Sequence, residues 1–465
     1  MERSVAEELR TLQAGEDWEG MLFEAACAGA RELARQLLEG LDAALAAERE
    51  PGLEVEGYRP RTLLTRFGPV TVRRRLYRSG GQRRFLLDEA VGWAPHERVT
   101  PRLRAVAVEL ASYMPYGRAA ALLEQLGVAL SGATVRRQVQ AVGAATQAQE
   151  QAEHTAVYGA GAPPVEGSER ADPLFVEGDG VMIPLQRATA RRAELKVAIG
   201  YRGTEAVGRD RHGRVRRATR GTVHYAGLEE AAAFWERAWL AFGRRYTVAQ
   251  TRLVLVGGDG APWIRGGLPP EGRGLFQLDP FHLARACRRR LHQFGPAAYQ
   301  AARDGDTAAL EEQLARAWAT ARTAARRAKL AELEGYLAAN AEGLQAWQAR
   351  VPAAYQHHVG LGAMEANIDK PYAQRFKRRG MSWSRAGLTA MAKVLQLREN
   401  GELVAACHAH PSPPAPGPRC PRASAASTAP PADHRAAPPF QARFAPRWGP
   451  QASRPWVRAL TRWLA

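Results

Sequence analysis

From Trp18 onwards, apolar residues recur every three or four positions along the first part of the chain. This spacing places them on one stripe and predicts a long amphipathic helix within residues 1–50, which Pro51-Gly52 ends. Two runs rich in β-branched and aromatic residues then lie on either side of Gly68-Pro69. Such a pair of runs around a turn predicts a β-hairpin. The hairpin opens a region that we assign to residues 51–150.

Further helices are predicted in the second half of that region. Thr100-Pro101 indicates a helix start, because threonine is a capping residue and proline fits the first helical turn. Two helical stretches around Gly127 form a helix-turn-helix pattern. If the pattern binds DNA, Arg136 and Arg137 on its second helix face the groove. An ordinary helical hairpin fits the same spacing. The polar residues from about 147 to 171 are predicted to form a linker.

From Asp172 the pattern changes to alternating strands and helices. Residues 172–282 contain several short β-rich runs and one amphipathic helix, and residues 283–355 have helical spacing throughout. A last helical stretch covers residues 356–403. This order predicts an α/β fold: an RNase H-like mixed sheet core with an all-helical insertion and a closing helix, preceded by a mainly helical DNA-binding region. Other α/β folds share parts of the same order.

Composition sets the end of the chain apart from the rest. Residues 404–465 are rich in proline and arginine and poor in apolar side chains, which predicts a disordered tail. Over the whole chain, 65 Lys+Arg against 47 Asp+Glu give a formal net charge of +18. An excess of this size favours a polyanionic partner, and by itself it fits DNA, RNA and ribosomes equally.

Other compositional features narrow the class of protein. No apolar stretch is long enough to cross a membrane and the first residues do not form a signal peptide, so we expect a bacterial cytoplasmic protein, associated with the nucleoid when bound. The four cysteines are scattered, as in a reduced cytosolic protein. Cys407-His408-Ala409-His410 contains zinc-ligand residue types but has no second half-site.

Two aspartates stand where apolar β-rich runs end against glycines. Asp179 lies in Val176-Glu-Gly-Asp-Gly180, and Asp259 lies in Leu253-Val-Leu-Val-Gly-Gly-Asp-Gly260. Two-metal phosphoryl transfer needs carboxylates at rigid strand ends, with small neighbours that leave space for metal and phosphate. Either motif alone is equally typical of an Asp-Gly turn.

Further motifs follow these aspartates in a fixed order. They are Asp279-Pro-Phe-His282, Gly362-Ala-Met-Glu-Ala-Asn-Ile368 beyond the helical insertion, and Arg378-Arg-Gly-Met-Ser-Trp-Ser384. Together with the two aspartates, the series resembles the Mutator-like branch of DDE transposases. More closely, it is similar to the insertion-sequence transposases of the ISLre group, over residues 62–403.

The resemblance implies a set of roles. Asp179, Asp259 and Glu365 would be the catalytic residues and would hold Mg²⁺, for which Mn²⁺ could substitute. Asp279 and His282 would support the site, although a purely structural pair fits the motif equally well. The reaction would be two-metal cleavage of DNA at the transposon ends followed by strand transfer into target DNA, carried out by a homo-oligomer on the DNA.

Alternatives remain open for the acids and for the function. Glu177 shares a strand face with Asp179, Glu194 lies on the next β-rich run, and Asp369 lies one helical turn after Glu365. Two other functions fit the motifs: an RNase H-like endonuclease without strand transfer, and a non-catalytic DNA-binding protein derived from a transposase.

Basic residues that follow His282 and Glu365 are expected to contact DNA phosphates, because both runs emerge beside the predicted site. Trp383, close to the second run, would either stack on a base or pack in the core. The expected DNA-binding residues are Arg136, Arg137, Arg288, Arg289, Arg375, Lys377, Arg378 and Arg379.

Overall fold

The computed structural model describes residues 17–269, 272–377 and 381–409, without the side chains of Ser79 and Asp369. Its strands are β1 (Glu54–Thr65), β2 (Gly68–Ser79), β3 (Gln82–Arg84), β4 (Leu174–Pro184), β5 (Arg192–Tyr201), β6 (Thr204–Arg209), β7 (Val215–Thr219), β8 (Val223–Gly227), β9 (Val254–Gly258) and β10 (Gly274–Leu278).

The α-helices are α1 (Trp18–Ala47), α2 (Leu86–Val91), α3 (Pro101–Tyr113), α4 (Tyr116–Gln125), α5 (Gly132–His154), α6 (Ala231–Gly243), α7 (Pro280–Leu291), α8 (Gly295–Asp304), α9 (Thr307–Thr320), α10 (Ala324–Ala339), α11 (Ala353–Gln356), α12 (Met364–Ile368), α13 (Gln374–Lys377), α14 (Arg385–Glu399) and α15 (Leu403–Ala409). Two π-helical segments, Thr155–Gly159 and Asp369–Ala373, follow α5 and α12.

The predicted first helix and the predicted β1–β2 hairpin are both present, and the helix packs along the hairpin. Asp42 of α1 accepts a hydrogen bond from Arg75 on β2 (Nη1 to Oδ2, 2.6 Å), and Leu38 and Leu45 pack against a small core that includes Val72. Much of the apolar stripe of α1 is nevertheless exposed, with Trp18 and Leu37 among its open residues.

The helix-turn-helix pattern corresponds to α4 and α5, but α5 is longer than expected. It begins after the capping residue Ser131 and runs to His154, so the predicted linker begins too early. The polar residues of the extension pack against α14, where Glu150 is buried. At Gly143 the two helices approach so closely that a Cβ would lie 2.4 Å from the Ala390 carbonyl oxygen. This helix is thus part of the main core.

A five-stranded mixed sheet forms the centre of the fold, in the order β10-β9-β4-β5-β8. β5 is antiparallel to β4 and to β8, whereas β9 is parallel to both β4 and β10. The apolar runs that predicted β4 and β9 are buried on both faces, as expected of a sheet covered by helices on each side. The predicted mixed α/β architecture is confirmed.

Each face of the sheet has its own core. Phe175 and Leu255 lie in a core with α3, α5, α12 and α14. Leu174 and Val254, which point to the opposite face, lie in a core with α6 and with helices α7 to α10. The chain is mainly helical from Pro280 to Ala339, within the insertion predicted at residues 283–355. After Ala339, the described residues of that insertion form only short 3-10 turns and the start of α11.

The expected start of the tail at residue 404 is wrong. Residues 403–409 form α15, in which Leu403 and Cys407 are buried, and Arg104 Nη1 donates to the Cys407 carbonyl oxygen (2.6 Å). The rest of the predicted tail, 410–465, lies outside the described residues. Within the described part of the chain, no helix combines the length and apolar character that crossing a membrane would require.

Candidate active site

Two of the predicted acids lie side by side where the parallel pairing of β4 with β9 stops. Asp259 directly follows β9, as predicted, whereas Asp179 lies in the middle of β4 and not at a strand end, because β4 continues to Pro184 in its pairing with β5. Gly178 of β4 pairs with Gly258 of β9, so Asp179 and Asp259, one residue further along each strand, stand at the same level of the sheet. A Cβ at Gly258 would lie 2.5 Å from Ile264 Cδ1 and 2.8 Å from the Gly178 carbonyl oxygen. Only glycine fits there, which explains the small residue before the second aspartate.

The D-x-x-H element continues the same edge of the sheet. Asp279 follows β10, and its backbone amide donates to the Gly258 carbonyl oxygen (2.8 Å). Its carboxylate caps α7 by accepting from the Phe281 amide (2.9 Å) and also lies 2.9 Å from His282 Nδ1. The hydrogen bond with Asp279 raises the pKa of His282 above its ordinary value of 6.5, against the desolvating effect of burial. The imidazole is therefore held in a fixed position and favoured in its charged form.

Glu365 reaches the same place from the other end of the chain. It lies in the first turn of the five-residue helix α12. It lines a cavity of about 230 Å³ together with all four other acidic and histidine residues that the sequence predicted: Asp179, Asp259, Asp279 and His282. The structure thus brings together residues that are up to 186 positions apart, since 365 − 179 = 186.

The charges in this cavity are unbalanced towards negative. Burial raises the pKa of Asp179 to about 6, and the charges of Asp259 and Asp279 add to the shift, while the Gly180 amide and His282 oppose it. Like charges held this close disfavour ionisation of a carboxyl group. A cation in the cavity would remove that cost.

The carboxylate oxygens have the chemistry of a hard metal site. Asp179 Oδ1 accepts from the Gly180 amide (2.7 Å) and Asp259 Oδ1 accepts from the Ala261 amide (2.9 Å). Within the described residues, no donor contacts the second oxygen of either. Among the same residues, no three His, Cys, Asp or Glu side chains form a ready group around a metal position. The acids share the cavity without closing on one point.

Basic side chains border the acids on two sides. Arg285 of α7 and Lys377 of α13 line the cavity itself. A neighbouring groove of about 490 Å³ shares Asp259, His282 and Arg285 with the cavity and continues between α7 and α10, where Arg289 lines it. We call it the basic groove. Arg288, exposed on the same helix, is not among the residues that line either space.

Arg375 is not available to DNA, contrary to the sequence-based expectation. It is 5% exposed, its Nε donates to the Ala111 carbonyl oxygen (2.9 Å), and its guanidinium lies 4.8 Å from the centre of the Trp383 ring. Trp383 is itself buried and belongs to the core. Arg378 and Arg379 lie outside the described residues.

The helix-turn-helix arginines are on the surface of α5. Arg136 is exposed, and Arg137 is half-buried with its Nη2 donating to Thr134 Oγ1 (3.0 Å). Neither lines the acidic cavity or the groove beside it. A role in DNA contact for these two stays a prediction.

The competing acids are placed differently from the predicted ones. Glu177 is 2% exposed behind Asp179, where it accepts hydrogen bonds from Tyr201 and from backbone amides. Glu194 packs over Gly180: a Cβ on that glycine would lie 2.1 Å from Glu194 Oε1. α12 ends at Ile368 and a π-helix begins at Asp369, so the simple one-turn relation between Glu365 and Asp369 does not hold.

Sequence reasoning missed Tyr336, a residue of the helical insertion. Its hydroxyl donates to the Asp259 carbonyl oxygen (2.9 Å), and it also lines the basic groove. Burial raises the pKa of this hydroxyl, and the charges of Asp259 and Asp279 add to the effect. Nothing in the sequence around a tyrosine on a helix indicates which strand end it will reach.

Comparison with known proteins identifies a family. The pattern described as "Uncharacterised protein family (UPF0236)" matches residues 16–410, and the chain belongs to that family. A UPF0236 protein of Caldanaerobacter subterraneus subsp. tengcongensis is 23% identical over 380 residues, which cover 80% of this chain and 75% of the relative. A UPF0236 protein in the vanSb 3′ region of Streptococcus gallolyticus is 26% identical over 377 residues, or 79% of each chain.

Proposed function

We propose that this UPF0236 protein is a DNA transposase of the DDE type, with Asp179, Asp259 and Glu365 as its catalytic residues. The observation that carries the proposal is their convergence on one small cavity, with Asp279 and His282 beside them and basic side chains at its border. Three acids distant in sequence that meet in one cavity, from two neighbouring strands of a mixed sheet and a helix beside them, form an arrangement that suits two-metal phosphoryl transfer.

The strand order supports an RNase H-like core for this enzyme. In chain order the five strands pair as 5-4-1-2-3, with strand 2 antiparallel to strands 1 and 3, and strands 4 and 5 parallel to strand 1. This is the arrangement expected of an RNase H-like sheet, and it puts the acids of strands 1 and 4 next to each other.

The names of the relatives also fit a mobile element. The UPF0236 protein of Caldanaerobacter subterraneus subsp. tengcongensis is named with eleven gene labels of that organism. The Streptococcus gallolyticus relative is named by its position in the 3′ region of vanSb. Many copies of one protein in a genome are what transposition produces. The net charge of +18 suits a DNA substrate.

The donor set fits Mg²⁺ better than a softer metal, because the ligands would be carboxylates with open positions around them. Asp179, Asp259 and Glu365 would hold the ions, and the pKa of Asp179, raised to about 6, indicates a site that a cation would stabilise. When bound, such ions supply charge neutralisation at the phosphate and activation of the attacking oxygen.

The chain's own residues orient the substrate. Arg285 and Lys377 line the cavity, and Arg289 lines the adjoining groove, so a DNA strand in the groove would meet cations on the way to the acids. His282, fixed by Asp279, can donate a hydrogen bond to a phosphate oxygen. Hydrolysis at a transposon end leaves a 3′-hydroxyl, which then attacks a phosphate of the target strand and displaces a new 3′-hydroxyl there.

The direct test uses the full chain, Mg²⁺ and a labelled duplex that ends in the inverted repeats flanking its gene. We expect cleavage at the repeat end and joining of pre-cut ends to a target plasmid. Asp259→Asn should lose both reactions and keep DNA binding. Cleavage without joining would favour an endonuclease, and binding without either reaction would favour the non-catalytic protein.

A second set of variants tests the third acid. Glu365→Gln should lose Mg²⁺-dependent cleavage, whereas Asp369→Asn should retain most of it. Glu312→Gln, an exposed glutamate on the helical insertion, is the matched control. If Asp369→Asn were the inactive variant, the third catalytic position would move to Asp369.

A further inference from the structure

We propose that Glu177 and Tyr201 are positioning residues that hold Glu365 at the cavity, and that Glu177 is not itself a metal ligand. The inference rests on the proposed function, since it takes Glu365 as one of the catalytic acids. Glu177 lies on β4 two residues before Asp179, and Tyr201 is the last residue of β5.

The pair binds three consecutive backbone amides just before α12. Glu177 Oε2 accepts from the Gly362 amide (2.8 Å) and Oε1 accepts from the Ala363 amide (3.1 Å). Tyr201 Oη donates to Glu177 Oε1 (2.5 Å) and accepts from the Leu361 amide (2.8 Å). Two successive amides thus converge on the Glu177 carboxyl group, and the amide before them reaches Tyr201. We call this set of four hydrogen bonds the Glu177–Tyr201 clasp.

The loop that the clasp holds has a conformation that needs support. Leu361 has φ +65° and Gly362 has φ +81°, and a leucine rarely adopts the left-handed region. Such a backbone persists where the surroundings fix it. The next turn starts at Ala363, whose carbonyl oxygen accepts from the Asn367 amide (3.2 Å). Glu365 lies within that turn, so its direction follows from the loop.

Both residues of the clasp are buried and closely packed around the loop. Glu177 is 2% exposed and Tyr201 is fully buried, with its ring 5.7 Å from that of Phe175. A Cβ at Gly257, on the neighbouring strand, would lie 3.3 Å from Glu177 Cγ, and a Cβ at Gly360 would lie 2.3 Å from the Phe175 ring. Within the described residues, all the donors to the Glu177 carboxylate are the three of the clasp, and Glu177 does not line the acidic cavity.

The clasp therefore ties two of the catalytic acids to one strand. Asp179 is part of β4. Glu365 is tied to the same strand through Glu177, which lies two residues before Asp179. A catalytic group must be held within about 0.5 Å of its working position. The five-residue helix α12, which follows a left-handed loop, does not by itself hold Glu365 this precisely. A buried carboxyl group that accepts three hydrogen bonds can fix the loop and, through it, the start of the helix.

The experiment measures the full-length protein in two ways. Hydrogen-exchange mass spectrometry measures the exchange rate of the backbone amides in residues 360–368. The Mg²⁺ concentration needed for cleavage reports on the geometry of the catalytic acids. The variants are Tyr201→Phe, Glu177→Gln and Glu177→Ala. Tyr246→Phe is the matched control, because it also removes one buried hydroxyl from the same domain, one that donates to the Gly221 carbonyl oxygen.

We expect faster exchange at 360–368 in Tyr201→Phe and Glu177→Gln, and an Mg²⁺ requirement for cleavage that rises about 10- to 100-fold, as for other residues that orient metal ligands. Glu177→Ala should exceed Glu177→Gln in both effects, since glutamine keeps one acceptor. Tyr246→Phe should change neither. If Glu177→Ala does not fold, Tyr201→Phe alone tests the clasp, because its ring can still stack on Phe175.

Three results would overturn the inference. Unchanged exchange in Tyr201→Phe would mean that the clasp does not hold the loop. Faster exchange with an unchanged Mg²⁺ requirement would mean that Glu365 does not depend on it. Complete loss of cleavage in Glu177→Gln with normal exchange would make Glu177 a ligand. If the wild-type protein does not cleave DNA, the proposed function fails, whereas exchange at 360–368 still reports on the clasp.

Discussion

Two regions that hold charged side chains away from water differ in whether an acid there has an oppositely charged partner. Between α5 and α14, the fully buried Lys393 lies 2.6 Å from Glu150 Oε2. Gln396 completes this site by donating to Glu150 Oε1 (2.7 Å). In the acidic cavity, Asp179 instead faces Asp259 and Asp279. His282, Arg285 and Lys377 line the same space, but among the described residues none of them forms an ion pair with Asp179.

The difference separates a structural site from a functional one. In the first region, attraction and hydrogen bonds offset the cost of burial, and the pair joins the N-terminal helices to the core. In the second, burial of Asp179, to which the charges of Asp259 and Asp279 add, disfavours the ionised carboxylate in the folded chain. Such crowding indicates a functional site, since folding alone does not favour it.

The largest expected effect comes from Asp179→Asn. Since the pKa of Asp179 is raised from 3.8 to about 6, its carboxyl group favours folding only at low pH, and that contribution is lost as pH rises through 6. At pH 8 the variant should be more stable to urea, by about 1–3 kcal/mol after allowance for solvent screening. Cleavage should fall on the order of a thousandfold.

Thermal denaturation with added Mg²⁺ gives a second test of Asp179→Asn. Mg²⁺ should raise the melting temperature of the wild-type protein and leave that of Asp179→Asn almost unchanged, since binding to the folded state alone stabilises it. Asp304→Asn, at an exposed helix end, is the control. A loss of stability in Asp179→Asn at pH 8 would contradict the view that burial and the neighbouring acids make the ionised Asp179 unfavourable in the folded chain.

Lys393→Met should have the opposite effect on stability. It leaves Glu150 buried without its cation, which costs about 3–5 kcal/mol in comparable buried pairs. Urea denaturation would measure the loss. The double variant Lys393→Met with Glu150→Leu should recover much of it. If the single variant were as stable as the wild type, the two regions would not differ as proposed.

Truncation tests a second buried ion pair, which Arg104 forms with Glu97. Arg104 is 1% exposed and donates to the Cys407 carbonyl oxygen and to Gln138 Oε1 (3.2 Å). Ending the chain after Ala409 should keep cleavage and stability. Ending the chain after Leu403 removes the Cys407 carbonyl oxygen that accepts from Arg104. The free energy of unfolding should then fall by about 1–3 kcal/mol, measured from the midpoint of urea denaturation. Loss of cleavage in the longer, folded truncation would assign the tail a role in chemistry.

The smallest expected effect concerns the basic groove. Arg285→Ala or Arg289→Ala should lower the slope of log affinity against log salt by about 0.9 for each DNA phosphate that the variant no longer neutralises. Arg288→Ala, on the same helix but outside the groove lining, should change the slope less. Fluorescence anisotropy on a short duplex between roughly 50 and 200 mM salt, a range over which phosphate binding weakens strongly, measures the slopes. Equal slopes in all three variants would remove the groove as the path of the DNA.

Local features were predictable because their causes lie within a few residues. Helical spacing predicted α1, and the turn at Gly68-Pro69 predicted the hairpin. The β-rich runs before Asp179 and Asp259 predicted two strands, which the structure places next to each other. The prediction of a linker from about residue 147 failed at its start because polar residues such as Glu150 belong to α5 and pack against α14, and a local pattern shows them only as polar.

By itself, the sequence determined the elements and the residue types available for chemistry, since turns, caps and side-chain periodicity act over one or two turns of chain. Only the tertiary structure decided which of those residues meet. It buried Arg375 against Ala111, 264 positions away, brought Tyr336 to the Asp259 carbonyl, and turned Glu177 towards the amides at 362 and 363 rather than into the cavity. These outcomes depend on long-range packing and burial, which no window of neighbouring residues contains.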